Sequence, residues 1–129
     1  MKIKFVETEH SIQNLIKNYM QLKGWYCMRL NSGKIPMTDW KGKKRMIWMG
    51  ETGTPDLMCF KAFPTKKQNK EIGFSENYVL GVKLLFIEVK RKGNKPTLLQ
   101  KMKMDELREF GAKCIVATGI EDLESEGIV

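Results

Sequence analysis

Glu88 and Lys90 lie at the end of an apolar segment, "LLFIEVKRKG" (84–93). Residues two apart in a β-strand project from the same face, so this carboxylate and this ammonium emerge together while Val89 faces the other side. An ionised carboxylate in an apolar strand is costly unless a metal, a partner or hydrogen bonds stabilise it. The pattern therefore predicts a site at Glu88 and Lys90, although an ordinary ion pair on a half-exposed strand is the alternative.

Asp56 is the second candidate, because it follows "GTP" at the start of another apolar segment. If these two segments pair as antiparallel strands, Asp56 lies beside Glu88. Two adjacent carboxylates repel each other, and one takes up a proton unless a cation lies between them. Mg²⁺ and Mn²⁺ are hard cations that prefer oxygen ligands. We therefore expect Asp56 and Glu88 to bind Mg²⁺ or Mn²⁺.

The elements that must position these residues follow from periodicity and from start and stop signals. Apolar residues at helical spacing from Ile12 predict a first helix between a Thr8 cap and a Gly24 stop. Strands are predicted at 25–31, 46–50, 56–63, 78–91 and 113–118, a helix over 98–110 with Gly111 as its stop, and a short closing helix in "IEDLESEG". The segments 32–45 and 64–77 read as polar loops. The order predicts a single α/β domain over residues 1–129, with a mixed central sheet flanked by helices.

Charge is unevenly distributed along the chain. Residues 105–129 hold seven acids and two bases, whereas the first 104 residues hold 21 bases and eight acids. A basic body predicts a polyanionic partner, with nucleic acid as the first candidate, and a merely soluble basic surface is the alternative. Three separated cysteines without a CxxC pair suit a reducing cytoplasm. No apolar stretch is long enough to predict a membrane span.

Several motifs occur in an ordered set: "ETEHSIQ", "RLNSG", "GTPDL", "IEVK" and "TLLQ". Together they resemble the VRR-NUC (virus-type replication-repair nuclease) domain of the PD-(D/E)XK nuclease superfamily, over about Glu9 to Thr118. The resemblance implies an αβββαβ core and an Mg²⁺- or Mn²⁺-dependent endonuclease. Its relatives act on branched DNA, including Holliday junctions in DNA repair, often as homodimers and often from phages or mobile elements. The Q-x-x-x-Y signature of RecB-like relatives is absent, because Met104 stands where its tyrosine would be.

The resemblance also implies residue roles. Asp56, Glu88 and the Val89 carbonyl would bind the metal, Lys90 would orient the attacking water and offset phosphate charge, and Glu9 would complete the site. It places Gln100 in contact with the active site, and Asn31 and Ser32 near the substrate phosphate. Simpler roles remain open: Thr97 and Gln100 fit a helix capping box, Asn31-Ser32 fits a turn, Glu9 fits a first-turn acid, and Glu7 is an alternative to Glu9.

A basic cluster in "DWKGKKRMIW" predicts DNA contact. Lys41, Lys43, Lys44 and Arg45 lie between Trp40 and Trp48. These basic side chains can reach DNA phosphates while a tryptophan stacks on an unpaired nucleobase. A solvated basic loop is the alternative. The single histidine, His10, excludes a two-histidine metal site, and the chain has no P-loop. We therefore expect a structure-specific DNA endonuclease, with a non-catalytic nucleic-acid-binding module as the main alternative and a sequence-specific restriction-type enzyme as a third.

Overall fold

Four strands pair into one mixed sheet in the order β1-β4-β5-β6. The computed structural model describes residues 7–30, 33–66 and 78–129. Its elements are α1 (Glu9–Leu22), β1 (Tyr26–Arg29), β2 (Gly33–Thr38), β3 (Lys44–Met49), β4 (Leu57–Lys66), β5 (Tyr78–Val89), α2 (Leu98–Glu109), β6 (Lys113–Ala117) and α3 (Ile120–Ser125). β4 pairs antiparallel with β1 and β5, and β6 pairs parallel with β5. The predicted α/β domain with a mixed sheet is confirmed, and its sheet and first two helices follow the order αβββαβ.

Helix α1 begins and ends at the signals that the sequence offers. Thr8 and Ser11 form a reciprocal capping box, so two backbone N–H groups that lack helical partners are satisfied. Gly24 follows the helix with φ +85°, a left-handed conformation that glycine adopts without a Cβ penalty. Ile12, Ile16 and Met20 are buried against the sheet. This buried face holds α1 on one side of the sheet. Glu9 is the first residue of the helix.

The period-2 alternation of the strands divides the core into two layers. Odd-numbered residues of β4 and β5, such as Leu57 and Ile87, pack with α1 and α3. Even-numbered residues, such as Phe86, pack with Met104 and Leu107 of α2. The sheet is therefore covered on both faces, which is the usual arrangement for a strand pair joined by a crossover helix.

Helix α2 connects the parallel strands β5 and β6. Thr97 caps its N-terminus and Gly111 follows its C-terminus with φ +93°, as the sequence predicts. Since Met104 and Leu107 pack with Phe86, α2 lies on the same face of the sheet as the even-numbered residues of β5. This geometry brings the first turn of α2 toward the predicted site.

Strands β2 and β3 form a separate antiparallel hairpin. We call residues 33–49 the arm. The expectation of a polar loop over 32–45 is wrong, because Gly33–Thr38 is a strand paired with Lys44–Met49. The alternation that reveals a strand comes from one buried face, and the side chains of the arm from Pro36 to Ile47 are exposed or, at Asp39, partly exposed. The other predicted loop, 64–77, contributes its first three residues to β4, and 67–77 lie outside the described residues.

No helix in the described ranges is long and apolar enough to cross a membrane.

Candidate active site

The register of β4 and β5 places Asp56 opposite Glu88. The ladder ends with Leu57 facing Ile87, and one more step along both strands sets the two acids face to face. Both acids occupy even-numbered positions, so they share the α2 face of the sheet with Met58 and Phe86. The two carboxyl groups are neighbours, and the charge of Asp56 contributes to raising the pKa of Glu88.

Glu88 is the buried charged side chain of the described chain, with 2% of its surface exposed. Its Oε2 accepts no hydrogen bond from any described residue. Burial, followed by the charge of Asp56, raises the pKa of Glu88 to about 8. Burial also raises the pKa of Asp56. Without a cation, the pair therefore retains a proton near neutral pH.

Lys90 lies between two acids. Its Nζ is 3.9 Å from Glu88 Oε1 and 3.9 Å from Glu9 Oε1, and only 12% of its side chain is exposed. These distances describe ion pairs and are too long for hydrogen bonds. Two carboxylates thus contact one ammonium group, and Asp56 lies beside Glu88, so these three acids carry two more negative charges than Lys90 balances when all groups are ionised. This arrangement is deficient in positive charge and suits a bound cation.

Pro55 explains how the main chain of Val89 is directed into the site. Leu30 N donates to Asp56 O (2.8 Å), so the main-chain groups of Asp56 face β1 and those of Pro55 and Leu57 face β5. Continuing the register sets Pro55 opposite Val89, and proline has no N–H to offer the Val89 carbonyl. The Val89 N–H donates to Asp56 Oδ2 instead (2.7 Å). Since the N–H and carbonyl of one strand residue point to the same strand edge, we expect the Val89 carbonyl to face the same side as this N–H.

Gly53 allows the loop before Asp56 to press against α2. Its φ is +83°, and an added Cβ would lie 2.6 Å from the Leu99 carbonyl oxygen and 2.8 Å from its carbon. Glu51 pairs with Lys103 of α2, which holds the same loop from its other end. Between the loop and the helix is a cleft of about 310 Å³, lined by Thr52, Gly53, Thr54, Asp56, Thr97, Leu99 and Gln100.

Gln100 caps α2 and also lines this cleft. Its Oε1 accepts from Thr97 N (2.8 Å), and its own N–H donates to Thr97 Oγ1 (3.2 Å), so the capping box is formed. The cap uses the side-chain oxygen, and the side-chain N–H groups are the part that can reach a substrate beside Asp56. The active-site contact of Gln100 stays a prediction.

The residues predicted to contact DNA are on the arm. Lys41, Lys43, Lys44 and Arg45 are exposed at its tip and at the start of β3. Asp39 shapes the turn, because its Oδ1 accepts from Lys41 N and Lys43 N, both at 2.9 Å, and its Oδ2 lies 3.4 Å from Arg45 Nε. Asn31 and Ser32, together with the side chain of Trp48, lie outside the described residues.

The donors present fit a small divalent cation. Carboxylate and carbonyl oxygens are the ligands that Mg²⁺ takes, and Mg²⁺ commonly binds through one or two carboxylates with water in its other positions. Within the described residues, no three histidine, cysteine or acidic side chains form a ready-made metal cluster. Asp56 and Glu88, with Oε2 of Glu88 unpartnered, are the two carboxylates that such an ion would use.

Comparison of the chain with protein-family models, with curated proteins and with solved structures finds no match.

Two contributors to the site were missed at the sequence level. Gly53 and Pro55 both belong to "GTPD", in which a role was predicted only for Asp56. Their positions directly before an acid that opens a strand could have indicated a role in the site, because glycine lacks a Cβ and proline lacks a backbone N–H. Gly53 removes a Cβ that would strike α2, and Pro55 removes an N–H opposite Val89.

Proposed function

We propose that this protein is a Mg²⁺- or Mn²⁺-dependent DNA endonuclease of the VRR-NUC type, which hydrolyses phosphodiester bonds in branched DNA. The observation that carries the proposal is Glu88, a buried acid with one unpartnered oxygen, opposite Asp56 and 3.9 Å from the ammonium of Lys90. Burial of this carboxylate in an apolar core is costly, and a ligand that supplies positive charge explains it best. A clustered acid pair with a raised pKa beside a lysine is also typical of active sites.

Each side chain has a role that its position supports. Asp56 and Glu88 would hold the ion, with the Val89 carbonyl as a third oxygen. When bound, such an ion polarises a phosphate and acidifies a water molecule. Lys90 provides a fixed positive charge where negative charge develops on the phosphate. Glu9 Oε1 lies 3.9 Å from the Lys90 ammonium, so Glu9 would orient that group and complete the acidic set.

DNA as the substrate is supported by charge. The first 104 residues carry 21 bases against eight acids, and an exposed basic cluster lies on the arm. Phosphate contacts of this kind give affinity without sequence preference. The preference for junctions or flaps, the homodimer and a cytoplasmic role in phage or mobile-element DNA repair belong to the proposal through the VRR-NUC resemblance.

Cleavage assays test the site assignment. Purified protein is incubated with linear duplex, splayed-arm and four-way-junction DNA, with Mg²⁺, Mn²⁺ or chelator. We expect ion-dependent cutting that Glu88→Gln and Lys90→Met each reduce on the order of 100-fold. The matched controls are Glu124→Gln and Lys101→Met, which make the same chemical changes at exposed helix positions. Wild-type cutting that survives both site changes would disprove the assignment.

A non-catalytic DNA-binding module is the second candidate. The 3.9 Å spacing around Lys90 and the lack of a three-ligand cluster in the described part of the chain favour it. Tight junction binding without cutting under Mg²⁺, Mn²⁺, Co²⁺ or Ca²⁺ would decide for this candidate. Retention of Asp56, Glu88 and Lys90 together favours the enzyme.

A further inference from the structure

The arm packs against no other helix or strand in the described ranges. An isolated two-stranded hairpin is marginally stable in water. The arm nevertheless exposes large apolar side chains on both faces and at its tip, with Met37 50%, Met46 58% and Trp40 89% exposed. Residues paired across the two strands share a face, and Met37 is opposite Arg45 whereas Met46 is opposite Pro36. Met37 and Met46 therefore lie on opposite faces of the arm. Such an element gains stability when a partner covers it.

The charge of the arm indicates an anionic partner. Between Gly33 and Gly50 the sequence contains Lys34, Lys41, Lys43, Lys44 and Arg45, with Asp39 as the one acid. Asp39 is held inside the turn by two backbone N–H groups and by Arg45. Its negative charge is therefore partly offset by these partners, and the five basic residues outweigh it. A surface that combines basic side chains with exposed apolar and aromatic groups fits single-stranded or unstacked nucleic acid.

Trp40 is the side chain best placed to contact a base. It lies at the tip, and Lys41 Nζ is 4.8 Å from the centre of its ring, a cation–π contact that orients both side chains. The turn beneath it is ordered, since Asp39 N donates to Lys43 O and Gly42 N donates to Asp39 O, both at 2.9 Å. A stacking platform with a cation beside it contacts both a base and its phosphate.

The arm is rooted at the candidate active site. Its first strand follows Leu30, whose N–H donates to Asp56 O, and its second strand leads to Glu51, which pairs with Lys103 of α2. Strands of six residues span roughly 20 Å, about six nucleotide steps of 3.4 Å. A base held at the tip would thus lie about six nucleotide steps from the root of the arm.

We propose that the arm selects branched DNA by stacking Trp40 on an unpaired base next to the branch, while its basic side chains bind the adjoining phosphates. The arm would thereby place the scissile bond within about six nucleotides of that base. This inference rests on the proposed function for the identity of the substrate as DNA. The inference goes beyond the proposed function by naming the unpaired base at the branch as the feature recognised and Trp40 as the residue that recognises it.

Binding measured in chelator tests the inference independently of cutting. Fluorescence anisotropy compares wild type and Trp40→Ala on splayed-arm DNA and on linear duplex of equal length. We expect roughly tenfold weaker splayed-arm binding for Trp40→Ala and little change on duplex. Trp40→Phe should retain most of the preference. Phe110→Ala, which removes an aromatic ring that is 86% exposed at the end of α2, is the matched control and should bind like wild type.

A 2-aminopurine placed as the unpaired base at the branch gives a direct readout, since stacking on Trp40 quenches it in wild type and not in Trp40→Ala. Equal affinity of wild type and Trp40→Ala for splayed-arm DNA would overturn the inference, as would an equal loss on duplex. A change in light-scattering mass caused by Trp40→Ala would also overturn it, because the arm would then contact a second copy of the chain. A wild type that prefers splayed arms through Trp40 but never cuts would disprove the nuclease and leave the arm's role intact.

Discussion

Glu88 has an oxygen, Oε2, that accepts no hydrogen bond from a described residue, although the side chain is 2% exposed. A buried polar atom without a partner costs about 1–3 kcal/mol, and more when it is charged. The protein reduces this cost by protonating the acid, and a bound cation would reduce it in another way. The protonation of Glu88 and the occupancy of the site by an ion are therefore alternatives.

Stability in chelator should depend on pH through Glu88. Its pKa is raised from 4.5 to about 8, so the folded state binds this proton more tightly than the unfolded state. The resulting stability is fully present below pH 4.5 and is lost as the pH rises through about 8. Glu88→Gln keeps a neutral side chain at every pH. Above about pH 8 we therefore expect its free energy of unfolding to exceed that of wild type by on the order of a few kcal/mol.

Urea unfolding in chelator from pH 4 to 9 measures this difference, with the exposed Glu124→Gln as control. Added Mg²⁺ should reduce the difference in unfolding free energy between the two proteins, because it stabilises wild type alone. Parallel curves for wild type and Glu88→Gln across the whole range would contradict the raised pKa.

The loop from Glu51 to Asp56 is an element whose shape depends on one glycine. Gly53→Ala should destabilise the fold by about 2–3 kcal/mol, since it combines the cost of φ +83° with a Cβ 2.6 Å from the Leu99 oxygen. Gly111→Ala is the matched control, because Gly111 has φ +93° and nothing within 4 Å of an added Cβ. Unfolding midpoints and cleavage rates of both variants measure the difference. Equal stability losses would show that the loop does not depend on the close approach to α2.

The sequence predicted the elements with a buried face, but of the arm it predicted only the strand at 46–50, which corresponds to β3, and missed β2. Strand β5, both long helices and the stops at Gly24 and Gly111 follow from hydrophobic periodicity and glycine placement. The pairing that sets Asp56 opposite Glu88 could be anticipated because each acid adjoins an apolar segment and the two segments fit neighbouring antiparallel strands. The arm gave no period-2 signal because its side chains are not sorted into a buried and an exposed face, and its turn depends on Asp39 bonds that spacing alone does not reveal.

The whole molecule carries an asymmetric charge, with a basic body and an acidic end from residue 105 onward. Under the proposed function, a homodimer would supply two sites for simultaneous paired cuts across a junction. If the VRR-NUC resemblance holds, light scattering should give twice the 15.0 kDa chain mass. A mass of one chain at working concentrations, together with paired cuts, would contradict this expectation.

Strand β5 lies between β4 and β6, and its last residues are buried on both faces of the sheet. Amide hydrogens in such a strand exchange with solvent only when the whole domain opens, whereas a hairpin supported by nothing but its own ladder can fray by itself. On warming, we therefore expect the arm to melt before the strands that carry Asp56, Glu88 and Lys90, so under the proposed function DNA selection would be lost before cleavage.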